Sequence, residues 1–97
     1  MGDFYLIKAS FIYLNFNATI EKEIATSLRD RDRHRLVLEQ LEKIISVYLT
    51  NFSLSEIYEI PFIDEEGKDN GYFLRRLAVN NETGLKGKLE LMVKRLD

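Results

Sequence analysis

Hydrophobic and polar positions divide the chain into four segments with the rhythm of strands and one segment with the rhythm of a helix. Residues 4–16 are rich in aromatic and β-branched side chains, and both alternating faces of this segment are largely apolar. Such a pattern is typical of a strand that is covered on both sides. Residues 54–63, 72–79 and 85–96 repeat the strand pattern later in the chain.

Between these strands, apolar and polar positions follow a regular spacing of four and three residues, which indicates one face of a long helix. Thr19 is a suitable N-cap, and Glu21 and Glu23 place negative charge in the first helical turn. The residues on this face are Ile20, Ile24, Ser27, Arg31, His34, Leu38, Leu41, Ile45, Tyr48 and Phe52.

Two forms of this helical segment are open. A single helix of about 33 residues would be about 50 Å long and would extend beyond a domain of this size. Alternatively, the chain breaks near residues 29–35, where Asp30 or Asp32 caps a second helix. The single helix is favoured, because neither Gly nor Pro interrupts residues 18–60.

The predicted fold is α+β, with residues 1–97 forming a single domain. Its sheet has four mainly antiparallel strands in the chain order strand, helix, strand, strand, strand, and the helix lies across one face. Residues 36–52 carry the widest apolar stripe and should contact the sheet. Residues 64–71 form an acidic hairpin loop, residues 80–84 form a second turn, and Pro61 indicates an edge strand or a bulge.

The composition indicates the cellular compartment of the protein, but it says little about which reactions or ligands the protein handles. The net charge is −2 and the chain has no cysteine. A small domain without disulfides fits a reducing, cytoplasmic compartment. The most apolar run, residues 4–16, is interrupted by Lys8 and Ser10 and is too short to span a bilayer, so no membrane association is expected.

Candidate catalytic chemistry is weak. The only histidine, His34, lies among arginines in the most polar stretch and is expected on the surface of the helix. The acidic residues of 64–71 lack the ligand spacing of a calcium loop, because Lys68 falls among them. No glycine-rich phosphate loop is present. The sequence therefore predicts no catalytic, cofactor-binding or metal-binding residues, and no enzymatic activity.

One basic concentration stands out in the sequence. It consists of Arg29, Arg31, Arg33, His34 and Arg35, together with Arg75 and Arg76 on a strand. Arginine side chains bind phosphate well, so this cluster predicts a nucleic-acid contact. In a helical dimer, however, Arg31 and His34 would lie on the apolar seam together with Leu38. The two polar residues would have to meet carboxylates from another chain or helix, and they would set the pairing register.

The favoured functional hypothesis is a small non-enzymatic protein-interaction domain. It would form a homodimer and dock on a further, unidentified protein through its helix or a sheet edge, as an adaptor, inhibitor or accessory factor. The alternatives are a nucleic-acid-binding regulator that uses residues 29–35 and a structural subunit of a phage or secretion assembly. These hypotheses rest on the small size of the chain and on its lack of catalytic motifs, which are associations and not mechanisms.

Overall fold

The computed structural model describes residues 3–63 and 69–96, which form an antiparallel sheet with a helix on one face. The strands are β1 (Asp3–Tyr13), β2 (Phe16–Thr26), β3 (Phe52–Leu54), β4 (Tyr58–Ile63), β5 (Asp69–Asn80) and β6 (Lys86–Arg95). The helix α1 spans Arg31–Ile44, and a 3₁₀ turn follows at Tyr48–Asn51.

The sheet has the order β2–β1–β6–β5–β3, and β4 pairs with the same edge of β5 further along that strand. One face of β1 and β6 is covered by α1 and by the segment that follows it, and Ile7, Phe11 and Leu91 on this face are fully buried. The helix contributes its own apolar stripe to this core, namely Val37, Leu38, Leu41 and Ile45. The protein is therefore mainly β, with a single hydrophobic layer between sheet and helix.

The prediction of four strands is wrong, because the sheet of the described residues has six. Residues 16–26 form a strand and not the first half of a helix, and the predicted strand 54–63 is divided between β3 and β4. β1 and β2 pair along their whole length, from Tyr13 with Phe16 to Asp3 with Thr26. The spacing of Ile20 and Ile24 fits a strand face as well as a helix face, since both positions are even-numbered. Pairing with the apolar strand β1 decided the outcome.

The long overhanging helix is also wrong, because α1 contains only 14 residues. A tight turn precedes it, in which the amide of Asp30 donates to the carbonyl of Ser27 at 3.1 Å. The alternative of two helices separated by a break near residues 29–35 is also wrong, because residues 31–35 belong to α1 and the chain turns at residues 27–30, with Asp30 at the N-cap position. The strand β2 precedes this turn, so the chain does not form the long helix on which the dimer seam was predicted.

Other sequence predictions are confirmed. β6 alternates as predicted, with Leu89, Leu91 and Val93 buried against the helix, but Leu85 at the start of the predicted strand precedes β6 and is exposed. The turn after β5 is held by the side chain of Asn80, which accepts from the amide of Glu82 at 2.8 Å. Pro61 lies on β4, which pairs only with β5 in the described sheet and has a bulge between residues 62 and 63. Residues 64–68 of the predicted acidic loop lie outside the described residues.

Candidate functional site

The predicted basic cluster is only partly assembled by the fold. Arg29, Arg33 and Arg35 are exposed around the start of α1, and Arg33 donates to the carbonyl of Ala25 at 3.4 Å. Arg31 is half-buried and its guanidinium lies 3.1 Å from the carboxylate of Glu59 on β4. The ion pair with Glu59 therefore occupies Arg31, one of the arginines at the centre of the predicted basic cluster.

Arg75 and Arg76 do not join this cluster. They are neighbours on β5, so their side chains leave opposite faces of the sheet. Arg75 lies 2.7 Å from Glu90 on the face away from α1. Arg76 lies on the helix face, where it donates to the carbonyl of Ser55 at 2.6 Å and pairs with Glu42 of α1 at 3.5 Å. Arg75 therefore links β5 to β6, and Arg76 links β5 to α1 and to the segment after β3.

His34 is not a surface residue, which corrects the sequence prediction. It is completely buried beneath α1, where Nε2 lies 3.3 Å from the Thr26 hydroxyl and Nδ1 is hydrogen-bonded to the Tyr72 hydroxyl. Either tautomer of the neutral ring satisfies both nitrogens. In one, Tyr72 donates to Nδ1, Nε2–H donates to Thr26 and Thr26 donates to the carbonyl of Ser27; in the other, Nδ1–H donates to Tyr72 and Thr26 donates to Nε2. His34 therefore connects β2, α1 and β5.

Burial shifts the pKa values of both His34 and Tyr72. It lowers the pKa of His34 below its ordinary value of 6.5, although the nearby carboxylate of Asp30 acts in the opposite direction. Burial also raises the pKa of Tyr72 above its ordinary value of 10.0. The guanidinium of Arg31 stacks over the Tyr72 ring with Cζ 3.6 Å from its centroid. The cluster therefore holds a neutral imidazole between two hydroxyls in the core.

A second feature is an open apolar groove at the end of the sheet near the C-terminus of α1. It encloses about 710 Å³. Its wall on one side is the start of β2, and its other wall is the end of α1 with the following turn. The lining residues are Phe16, Ala18, Ile44, Ile45, Val47, Tyr48, Asn51, Phe52 and Asn80. We refer to these residues as the aromatic groove.

Packed rings fix the floor of the aromatic groove. Phe16 and Tyr48 stack with centroids 4.4 Å apart, and Tyr48 stacks on Phe52 at 5.7 Å. Beneath them, Phe11 and Tyr13 meet Phe52 edge-on at 5.9 and 4.9 Å. Such ring contacts stabilise one arrangement, each by about 0.5–1.5 kcal/mol beyond burial. The groove is thus preformed.

The groove walls expose more apolar surface than folding requires. Val47 is 84% exposed and Ile44 is 70% exposed, although both belong to the segment predicted to lie across the sheet. The sequence did not reveal this excess, because the wide apolar stripe of residues 36–52 was assigned entirely to contact with the sheet. It did not show that Phe16, from another element, would complete a groove with this excess.

The predicted seam residue Leu38 has a different place. It is 2% exposed and belongs to the core cluster. A residue in this position stabilises the monomer and does not contact a second chain. The predicted helical seam of Arg31, His34 and Leu38 is therefore wrong, because the long helix does not form and His34 and Leu38 are buried in the core.

Comparisons with known proteins leave the functional assignment to geometry. No family model matches the chain, and no curated protein or solved structure shows significant similarity to it. Within residues 3–63 and 69–96, no helix is long and apolar enough to cross a membrane. In that same part of the chain, no three His, Asp or Glu side chains are grouped to hold a metal ion.

Proposed function

We propose that this chain is a non-enzymatic protein-interaction domain and that the aromatic groove is its docking surface. The observation that supports this proposal is the concentration of exposed apolar side chains around one concave, ring-lined surface. Scattered exposed apolar residues need no explanation, but a contiguous patch around a depression is a feature of binding surfaces.

The chemistry of the groove defines what it would bind. Ile44, Val47 and Tyr48 offer apolar surface, and each square ångström of such surface removed from water contributes about 25 cal/mol. The exposed Asn51 at the rim offers an amide that can bond a peptide backbone. A protein segment with one or two large apolar side chains therefore fits better than a charged ligand.

The buried histidine does not suggest catalysis. Both ring nitrogens of His34 have hydroxyl partners, and the side chain has no exposed surface. A general base must reach a proton on a bound substrate. His34 does not line the aromatic groove, so the groove and the imidazole are separate features, one for binding and one for folding.

Selection of peptides from a random display library tests this function. We expect wild-type protein to select peptides with aromatic or large aliphatic residues, and Val47→Glu to weaken their binding at least tenfold by placing a charge on the groove wall. Because Val47 is almost fully exposed, this variant should remain folded. The matched control is Phe4→Glu, an exposed apolar residue at the far end of β1.

Two results would count against the proposal. One is the absence of any enriched peptide class from repeated selections with folded protein. The other is equal binding of the selected peptides to the Val47→Glu and Phe4→Glu variants, because the groove would then not be the surface used.

The nucleic-acid alternative has less support from the geometry. Of the arginines proposed for it, Arg31, Arg75 and Arg76 pair with carboxylates of Glu59, Glu90 and Glu42. The exposed remainder is Arg29, Arg33 and Arg35, beside Asp30 and Asp32. Salt-dependent binding to DNA or RNA that is lost when these three become Ala would favour it over the groove.

A further inference from the structure

The strand β2 forms a long edge of the sheet. It contains 11 residues, from Phe16 to Thr26, with no Gly or Pro, and its register with β1 is continuous. The opposite edge is different, because β3 has three residues and β4 contains Pro61 and a bulge. Proline, bulges and short strands protect an edge from pairing with another chain. Only the β2 edge lacks these three protections within the described sheet.

The hairpin geometry determines which backbone groups of β2 face outward. Tyr13 and Phe16 close a two-residue turn, so they form a hydrogen-bonded pair and the even-numbered residues of β2 bond to β1. The odd-numbered residues, Asn17, Thr19, Glu21 and Glu23, therefore direct their N–H and C=O groups away from the sheet. These groups can accept one more antiparallel strand.

The charges of β2 distinguish among symmetric pairing registers. Centring an antiparallel pair on Glu21 opposes two glutamates, and centring it on Lys22 opposes two lysines, both of which are destabilising. Centring on Ile20 sets Ile20 against Ile20, Thr19 against Glu21 and Asn17 against Glu23, with no like charges opposed. This register pairs residues 16–24, more than the other registers that avoid opposed charges.

The same register turns the β2 side of α1 toward the second copy. Leu36 lies above β2 near Ile24 in a small depression, and the aromatic groove lies at the other end of β2. A two-fold axis at Ile20, perpendicular to the sheet, sets Ile24 of a second copy opposite the groove residue Phe16, so Leu36 of that copy lies at the groove end of β2. Leu36 itself is 55% exposed, which fits a side chain that packs in a neighbouring groove.

We propose that the occupant of this surface is a second copy of the chain, paired antiparallel through β2 with Ile20 at the two-fold axis. This inference rests on the proposed function, because it names the partner of the aromatic groove. A standard interface covers about 800 Å² on each partner. That is about one eighth of the 6380 Å² surface of the chain.

Single-cysteine crosslinking tests the register, since the chain has no cysteine of its own. Ile20→Cys should form a disulfide-linked dimer under mild oxidation, because directly opposed residues of a non-hydrogen-bonded pair have Cα atoms about 4.5 Å apart. Lys22→Cys is the matched control on the same strand face. It lies opposite Ala18, so its two copies are about 14 Å apart and should not crosslink.

Charge substitution at the exposed Thr19 provides a second test that leaves the core unchanged. Thr19→Lys meets Glu21 of the second copy twice, and it should strengthen the dimer about fivefold. Thr19→Glu opposes two like charges and should weaken it by about the same factor. Sedimentation equilibrium over about 5–500 µM protein measures both.

The outcomes separate this inference from the proposed function. A chain that stays monomeric, a dimer that crosslinks through Lys22→Cys and not Ile20→Cys, or a dimer insensitive to both Thr19 variants would overturn the β2 pairing. If peptides selected by the groove still discriminate against Val47→Glu, the groove remains a docking surface for another protein. If they do not, the proposed function fails as well.

Discussion

The hydroxyl of Tyr72 on β5 is hydrogen-bonded to Nδ1 of His34 on α1, 38 positions earlier in the chain. Both side chains are almost completely buried. This contact fixes the start of the helix over the sheet, and Arg31 covers it from outside by stacking on the Tyr72 ring. A polar bond in this position specifies how the two layers meet, because an unpaired donor or acceptor there would be costly.

Removing the hydroxyl should therefore destabilise the fold. We expect Tyr72→Phe to lower the free energy of unfolding by about 1–3 kcal/mol, because Nδ1 of His34 loses its partner. Urea denaturation followed by circular dichroism measures the change. Tyr48→Phe, which keeps the packed ring of a residue that is 40% exposed, is the control and should change stability by less than about 0.5 kcal/mol. Equal effects of the two substitutions would contradict the role of the buried bond.

Stability should fall in mild acid. Because burial lowers the pKa of folded His34 below 6.5, the unfolded chain binds the proton more readily, so protonation favours unfolding. The contribution of neutral His34 is fully present above about pH 6.5 and is lost as the pH falls from there through the folded pKa.

Nuclear magnetic resonance can follow this titration directly, since His34 is the only histidine. Its ring proton signal should titrate with a midpoint below 6.5, and His34→Phe should show a smaller loss of stability between about pH 7.5 and 5.5. A midpoint at or above 6.5 would contradict a buried imidazole that is held neutral.

Leu38 provides a test of the corrected fold. Leu38→Ala should cost about 2–5 kcal/mol, because it opens a cavity between α1 and the sheet. The exposed Leu85 is the control, and Leu85→Ala should cost less than about 1 kcal/mol. The change in the free energy of unfolding is measured in urea. A small effect of Leu38→Ala would mean that Leu38 is not buried between α1 and the sheet, and it would contradict the fold.

The turn between β1 and β2 contains a strained residue. Leu14 has a φ angle of +52°, a conformation that costs a leucine about 1–2 kcal/mol. Asparagine tolerates this region, and the exposed Leu14 side chain contributes little packing. Leu14→Asn should stabilise the protein by about 0.5–1 kcal/mol in a thermal unfolding experiment. Leu85→Asn, at a position without positive φ, should give no such gain.

This turn also explains why part of the fold escaped prediction. Hairpin turns are usually marked by Gly or Asn at the first position, but here the first turn residue is Leu14. Without that mark, the four-residue spacing of Ile20 and Ile24 and the nearby glutamates resembled a helix start. β6 and the turn after β5 were predictable because strict alternation and the Asn-rich turn sequence allow one interpretation.

The candidate site was less predictable because its parts come from distant segments. Phe16, Tyr48 and Phe52 meet only after β1 and β2 pair and α1 ends above them. The burial of His34 likewise depends on Tyr72, 38 positions away, and on Thr26, which is eight positions away but lies on a strand that the sequence predicted as helix. Periodicity identifies which face of an element is apolar, but it does not identify the distant hydroxyls that satisfy a buried imidazole.

Amide hydrogen exchange along β2, measured at about 20 µM and 1 mM protein, tests the central claim that this side of the molecule binds a second copy. Even-numbered amides should be protected at both concentrations, because they bond to β1. The amides of Asn17, Thr19, Glu21 and Glu23 should exchange rapidly at the lower concentration and become protected at the higher one. Rapid exchange of these odd-numbered amides at both concentrations would contradict the pairing through β2.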